Sequence, residues 1–323
     1  MHRIKSNLPK NILSWYDNNK RTLPWRISQN SEKKHYYRIL SEFMLQQTQV
    51  KTVIPYFNNF VKKVSNLKAL SKSSEKKILK LWEGLGYYRR VKNLHKTAKI
   101  LVKKYNGKIP RDFKKLIDLP GVGEYTANAL LALVYNEPRI PIDGNVKRVF
   151  SRLFEKEKYK NKLFNTSRNA DFAEALMEFG ALVCKPKDPK CEECKINKSC
   201  FYYQSGSKTK FKKEIKLQLK NYDIFCYLKK NKKQIALTKN NNLGFLKEFN
   251  LPKVKATSKK NKNWKFLCNY KNFISNKKIN INLYYKFSSK IPSKYNWYSI
   301  NSNDEFIPSF TKKILKQVSS LYQ

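Results

Sequence analysis

Nowhere does the chain run through the roughly 18 consecutive apolar residues that a membrane-spanning helix needs, so no span is expected. Its basic opening, MHRIKSNLPKNILSWYDNN, lacks the apolar stretch of a secretory signal, and the expected location is cytoplasmic, or nucleoid-associated in a prokaryote. Acidic residues are scarce: 23 Asp and Glu stand against 69 Lys and Arg in 323 residues, a formal net charge of +46. Arginine is missing altogether after Arg168, while Lys and Asn are abundant throughout, a pattern that biased nucleotide composition alone produces. The charge therefore permits a polyanionic partner, bound through neutralised phosphates and released counterions, without demanding one. No internal repeat is visible. What the chain does have is apolar material, 41% hydrophobic and 14% aromatic, which excludes disorder of the whole. Its length favours two domains.

Residues 1–203 read as mainly helical. Tyr36, Ile39, Leu40, Phe43 and Met44 recur at the spacing of a core-facing helix, with Glu42, Gln46 and Gln49 on another face of it. A second helix follows the turn at 121–123, with Ala127, Leu130, Leu131 and Val134 as its stripe, and a third covers Phe172 to Leu182. The segment 204–220, QSGSKTKFKKEIKLQLK, is polar and basic and reads as a linker. Beyond it the period changes to two. Ile279, Ile281, Leu283, Tyr285 and Phe287 alternate with mostly polar residues, as in a half-buried strand. Residues 222–230 and 234–239 form an expected strand pair, and a helix from Pro308 to Leu321 closes an α+β domain over 221–323.

Six cysteines in a chain without an export signal argue against a disulfide framework. Cys184, Cys191, Cys194 and Cys200 crowd together at the spacing C-x6-C-x2-C-x5-C, which suits tetrahedral zinc or an iron–sulfur cluster; the thiol chemistry does not choose between them. Lysines 185, 187, 190, 195 and 198 surround the group. Cys226 and Cys268 read as small core residues.

In LPGVGEYTANALLALVY (119–135), a helix ends before Pro120, Gly121 and Gly123 permit positive φ, and a new helix begins. Such a turn aims unpaired N–H groups at an anion. In PIDGNVKRVFSRLF (141–154), Gly144 and Asn145 make a turn and Lys147 and Arg148 follow on a helix, so Asp143 reads by itself as a helix cap.

Taken together, these segments resemble one family. The cysteine spacing and the Gly-Val-Gly hairpin are similar to the endonuclease III and MutY superfamily of DNA glycosylases. SEFMLQQTQVKTVIPYF (41–57), LPWR (23–26), LWEGLGYYRRVKNLHK (81–96) and DGNVKR (143–148) resemble its MutY-type adenine glycosylase branch across nearly all of residues 10–203. The resemblance implies a helix-hairpin-helix glycosylase domain over 1–203 whose 184–200 loop carries a 4Fe-4S cluster on Cys184, Cys191, Cys194 and Cys200. It implies Glu42 as general acid and Asp143 as catalytic carboxylate, with Tyr125 and Asn145 orienting them. It also implies Gln46, Gln47, Tyr87, Gly121, Gly123, Lys147 and Arg148 at the DNA. Where endonuclease III-like lyases carry an attacking Lys, this chain has Tyr125, which implies a monofunctional enzyme. The partner implied is double-stranded DNA with A·8-oxoguanine or A·G mispairs, met by a monomer. For Tyr87, ordinary core packing is the competing reading.

The second domain resembles, more weakly, the NUDIX-like domain with which such enzymes recognise 8-oxoguanine. LGFLKEFNLPKV (243–254) and WYSI (297–300) match it. No Glu-rich hydrolase box is present. The Phe-Ser-His loop of the family is represented by Phe273-Ile274-Ser275-Asn276, with no His, leaving Ser275 and Asn276 as lesion-contacting candidates. Rival readings are a thymine glycosylase acting on G·T, opposed by LQQTQ and Glu42; an endonuclease III-like lyase, opposed by Tyr125; and a zinc-stabilised DNA-binding module without catalysis, opposed by the pairing of Glu42 with Asp143.

Overall fold

The computed structural model describes residues 2–27, 33–154, 166–206, 218–239, 246, 249–256, 263–274, 277–301 and 307–322. The chain divides into two compact units, Met1–Lys212 and Lys213–Gln323.

The first unit is helical: α1 (His2–Asn19), α2 (Lys34–Leu45), α3 (Val50–Lys63), α4 (Leu67–Lys72), α5 (Glu75–Leu81), α6 (Arg89–Tyr105), α7 (Phe113–Ile117), α8 (Glu124–Tyr135), α9 (Gly144–Leu153), α10 (Asn169–Leu182) and α11 (Phe201–Gln204). Local chemistry sets many of the ends. Asn66, Ser74, Asp112 and Asp143 accept hydrogen bonds from N–H groups of the helices they precede. Asn106 and Asn136 end α6 and α8 in the left-handed region. The expected stripes are real: Tyr36, Ile39, Leu40, Phe43 and Met44 of α2 are buried, and α8 is buried continuously from Thr126 to Val134. One core joins Ile12 and Tyr16 of α1, Val149 and Phe150 of α9, and Phe172 and Phe179 of α10. None of the described helices is long and apolar enough to cross a membrane.

Three expectations need correction. Gln46 and Gln49 do not share a helix face with Glu42, because α2 stops at Leu45 and Gln47 turns to φ 55°. Gly121 uses positive φ (82°), but Gly123 sits at φ −100° in extended backbone before α8. A Cβ on Gly123 would meet nothing within 4 Å, so neither its conformation nor its packing requires glycine. The stretch read as linker overlaps structure at both ends: Gln204 closes α11, and Gln218–Lys220 already belong to a strand.

The second unit is a mixed sheet with a helix on one face. Its strands are β1 (Gln218–Lys229), β2 (Gln234–Leu237), β3 (Lys253–Ala256), β4 (Lys265–Ile274), β5 (Lys277–Phe287) and β6 (Asn296–Ser299), in the order β4-β5-β1-β2-β6, with β3 also on β1. The expected β1–β2 hairpin forms, pairing Leu228 with Ile235. The long β1–β5 pairing is parallel, from Gln218↔Lys277 to Leu228↔Phe287. Alternation places Ile224, Cys226, Leu228, Ile279, Ile281 and Leu283 in one core with Phe310, Ile314, Leu315 and Val318 of α12 (Ser309–Ser319). Each such side chain contributes about 1.5–3 kcal/mol when fully buried. Burial fades at the strand end, where Phe287 is exposed. Ser275 and Asn276 lie outside the described residues.

Candidate active site

Glu42 occupies the last turn of α2 on the unit's interior and is only 5% exposed. One carboxylate oxygen, Oε2, has no hydrogen-bond partner. Burial pushes Glu42 up from the usual 4.5 to about 7; Arg38 opposes the rise, Glu174 and Asp143 add to it, and the Tyr125 hydroxyl opposes it. Tyr125, from the first turn of α8, packs on Ala129, Ala132, Leu133 and Ala173. Burial and the two carboxyls, Glu42 and Asp143, hold its phenol far above the ordinary tyrosine range, so it stays a neutral hydroxyl. That hydroxyl also lies 3.4 Å from Met177 Sδ.

Asp143 stands at the start of α9. Its Oδ1 accepts from Val146 N at 2.7 Å, and its Oδ2 accepts from the Asn145 side-chain amide at 2.9 Å. It is thus a helix cap and a carboxylate facing Glu42 and Tyr125 electrostatically at once. Gly180 of α10 lets α9 approach so closely: a Cβ there would meet Asn145 Cβ at 2.6 Å. Lys147 projects outward and is exposed.

A buried ionic network missing from the sequence reading flanks Glu42. Glu174 of α10 is bound by Arg38 of α2, by the Tyr16 hydroxyl and, at 2.9 Å, by Arg26. Burial works against its charge, but Arg38 and Arg26 hold it below the ordinary Glu value. Glu178 takes a two-pronged contact from Arg21, at 2.7 and 2.9 Å, and a further one from Arg26 at 2.9 Å. Two carboxylates on one face of α10, four residues apart, were the available signal. Their cationic partners lie more than 130 residues away.

Of the residues expected at DNA, Gln46, next to Gln47 in the chain, and Tyr87 touch Arg90. From the first turn of α6, its guanidinium donates to the carbonyls of Phe43, Met44 (2.7 Å) and Gln46, which end α2, and to Gly86 at 3.2 Å. Gln47 and Tyr87, both at positive φ, sit on the two loops it joins. The Arg90 guanidinium lies 5.3 Å from the centre of the Tyr87 ring. Tyr87 is 42% exposed, so it is not a core residue. Gln46 donates to Gly121 O at 3.2 Å, linking the end of α2 to the α7–α8 hairpin. A Cβ on Gly121 would come within 2.9 Å of Phe43 and Asn93, so glycine is required there by space and by φ. Arg148, expected at DNA, instead turns inward onto Cys184 O (2.8 Å), Gly180 O (2.6 Å) and Asn145 Oδ1 (2.9 Å).

The four clustered cysteines line one hollow together with Arg152, Ile196 and Tyr202. Arg152, buried, donates to Cys184 Sγ at 3.3 Å and Lys185 O at 2.7 Å, and its own carbonyl accepts from Cys200 Sγ. Burial pushes the Cys194 thiol up to about 12 and raises Cys191 and Cys200 as well. No three His, Cys, Asp or Glu side chains among the described residues converge tightly enough to hold a single ion. Four cysteine sulfurs lining one hollow are the donor set of a thiolate-bound metal group.

A helical unit with a Gly-Val-Gly hairpin, a capped aspartate and a buried glutamate defines a helix-hairpin-helix base-excision protein, and the model of the HhH-GPD superfamily base excision DNA repair protein matches residues 40–169. The adenine DNA glycosylase of Buchnera aphidicola subsp. Baizongia pistaciae is 34% identical, over 95% of this chain and 95% of its own length. That of Buchnera aphidicola subsp. Acyrthosiphon pisum is 37% identical over 84% of this chain and 78% of its own. The human adenine DNA glycosylase is 38% identical over 58% of this chain and 38% of its own. The chain belongs to the adenine DNA glycosylase family. Among solved structures, a thermostable thymine-DNA glycosylase matches with TM-score 0.57 and 28% identity, over 63% of this chain and 98% of that one. A non-covalent endonuclease III–DNA complex matches with TM-score 0.52 and 20% identity, over 62% and 97%, and shares the fold.

Proposed function

We propose that this chain releases adenine mispaired with 8-oxoguanine or guanine from duplex DNA by hydrolysing the N-glycosyl bond, and that it does not cut the strand itself. The observation that carries this reading is Glu42, a carboxyl held to about 7 inside the first unit, facing an aspartate that caps a helix. Cleaving adenine from deoxyribose requires a proton on the departing base and a negative group beneath an oxocarbenium-like sugar. Glu42 supplies the proton, to N7, because at neutral pH much of it is still acid. Asp143, at the α9 N-terminus, turns its carboxylate to the sugar cation and stabilises it. Asn145, bound to Asp143 Oδ2, and the neutral Tyr125 hydroxyl orient the carboxylates and the attacking water.

Adenine inside a duplex is out of reach and must be flipped, at a cost of a few kcal/mol. Exposed Tyr87 and Gln47, with Gln46, enter the stack around the lesion, while Gly121, Gly123 and Lys147 meet phosphates. Arg148 supports the site from behind rather than touching DNA. Ser275 and Asn276 of the second unit are proposed to face the partner base.

Cys184, Cys191, Cys194 and Cys200 are proposed to hold a 4Fe-4S cluster. When bound, it would supply a cross-link that fixes the lysine-rich 184–200 loop for phosphate contact. The domains proposed are 1–203 for catalysis and 221–323 for lesion recognition.

A second reading, thymine release from G·T, draws on the 28% identical thymine-DNA glycosylase. Glu42 disfavours it. Duplexes carrying A·8-oxoguanine, A·G, T·G and thymine glycol, treated with the protein with and without hot alkali, separate the readings. Adenine release with breaks only after alkali supports the proposal, and alkali-independent breaks overturn the monofunctional part.

A further inference from the structure

The sheet of the second unit has two faces, and α12 covers one. The register defines the other. Phe266 of β4, Tyr284 of β5, Phe225 of β1 and Lys253 of β3 lie side by side in one row across the strands. The next row holds Asn269, Asn282, Asp223 and Lys255, and the one after it Lys271, Asn280 and Asn221. Hydrogen bonds from Asn282 to Asp223 and from Asn280 to Asn221, both 2.9 Å, fix these side chains on the same face. Along these rows Phe225 and Asp223 are buried, Tyr284 is half-buried, and Phe266 and Asn269 are exposed.

This face is neither a core nor an ordinary solvated surface. Tyr284 stacks on Phe225 with ring centres 5.3 Å apart and meets Phe266 edge-on, and Trp264 packs against Phe225 and Tyr227. Phe266 remains 54% exposed at the edge of the cluster. Beside the rings, Lys229, Lys253, Lys255, Lys271, Lys278 and Lys286 share the face, among the described residues, with the one carboxylate of Asp223.

We propose that this face is a platform for single-stranded DNA, with unpaired bases stacking on the Phe266–Tyr284–Trp264 cluster and phosphates meeting the lysines. The exposed Phe266 ring and the half-buried Tyr284 and Trp264 rings at its side can take a base only when the base is unpaired, and amides in the neighbouring row offer donors and acceptors to its edge. A second copy of the chain is disfavoured, because an isologous contact would set lysines against lysines. The proposal rests on DNA as the partner, not on adenine as the excised base.

Cross-linking with a 12-nucleotide thymidine oligomer containing 5-iododeoxyuridine tests it on the full chain. Ultraviolet cross-links are expected on peptides holding Trp264, Phe266 or Tyr284. Phe266→Ala should weaken binding of the fluorescent oligomer about five-fold or more. A Lys271→Ala/Lys278→Ala variant should lower the slope of log affinity on log salt by about 1.4. Cross-links confined to residues before 213, with unchanged affinity in both variants, overturn the proposal. So does salt-sensitive self-association that Phe266→Ala abolishes. Adenine release by the wild-type chain, measured alongside, tells failure of the glycosylase reading from failure of the platform.

Discussion

Arg148 donates from Nε to the carbonyl oxygen of Cys184 at 2.8 Å. The same guanidinium reaches Asn145 Oδ1 at 2.9 Å, and Asn145 in turn holds Asp143. One side chain thus ties the cysteine loop to the aspartate cap. Arg148→Lys cannot serve Cys184, Gly180 and Asn145 together and leaves partly buried carbonyls short of donors, at about 1–3 kcal/mol. Thermal melts should fall and single-turnover adenine release should slow, with duplex affinity nearly unchanged. A variant that keeps both melt and rate would show that the link is idle.

Asp143 has two roles that substitution separates. Asn can still accept from Val146 N but turns a donor toward the Asn145 amide, so Asp143→Asn should keep the capping, about 1 kcal/mol, that Asp143→Ala loses, while giving up the Asn145 contact. Both should lose adenine release, since neither presents a negative charge to the sugar. Activity surviving in the Asn variant would reduce Asp143 to a cap.

Glu42 governs the pH response. Its folded value, about 7, lies above the usual 4.5, so folding favours the protonated form. That stabilisation is complete below 4.5 and fades as pH rises, to a loss of about 3 kcal/mol above 7. Glu42→Gln should therefore melt progressively higher than the parent as pH rises through 5 to 8, while adenine release drops about 10²–10⁴-fold. In the parent, single-turnover rates should decline as pH rises through about 7. Removing the hydroxyl that lowers Glu42, in Tyr125→Phe, should move that decline to higher pH. A parent rate that stays flat from pH 6 to 9 would remove Glu42 as the acid.

Arg90 and Tyr87 should part in their effects. Arg90→Met strips the donor from the α2 carbonyls and from Gly86, and the melt should fall by roughly 1–3 kcal/mol or more. Tyr87→Ala touches an exposed ring and should leave the melt nearly intact while weakening binding to mispaired duplex. Equal destabilisation by both would return Tyr87 to a packing role.

Much of the site was legible because its determinants are local. The Tyr36-to-Met44 stripe, the Asp143 cap and the alternation of Ile279, Ile281 and Leu283 all act within a few residues of chain. The helix face drawn through Glu42, Gln46 and Gln49 failed for the opposite reason. The end of α2 is received by Arg90, more than 40 residues downstream, and periodicity carries no trace of that. Glu174 was invisible as a neighbour of Glu42 because its partners Tyr16, Arg26 and Arg38 come from the other end of the unit. Gly123 was misjudged because the spacing of two glycines does not tell which one takes positive φ. The parallel pairing of β1 with β5 joins residues 59 apart and left no local signature.

The most direct measurement is single-turnover release of free base from duplexes that differ only at one pair, A·8-oxoguanine, A·G or T·G, by the parent and by Glu42→Gln. The account predicts free adenine from the first two, about 10²–10⁴-fold slower release by Glu42→Gln, no thymine from T·G, and strand breaks only after alkali. Thymine release, or adenine release undiminished in Glu42→Gln, would contradict it.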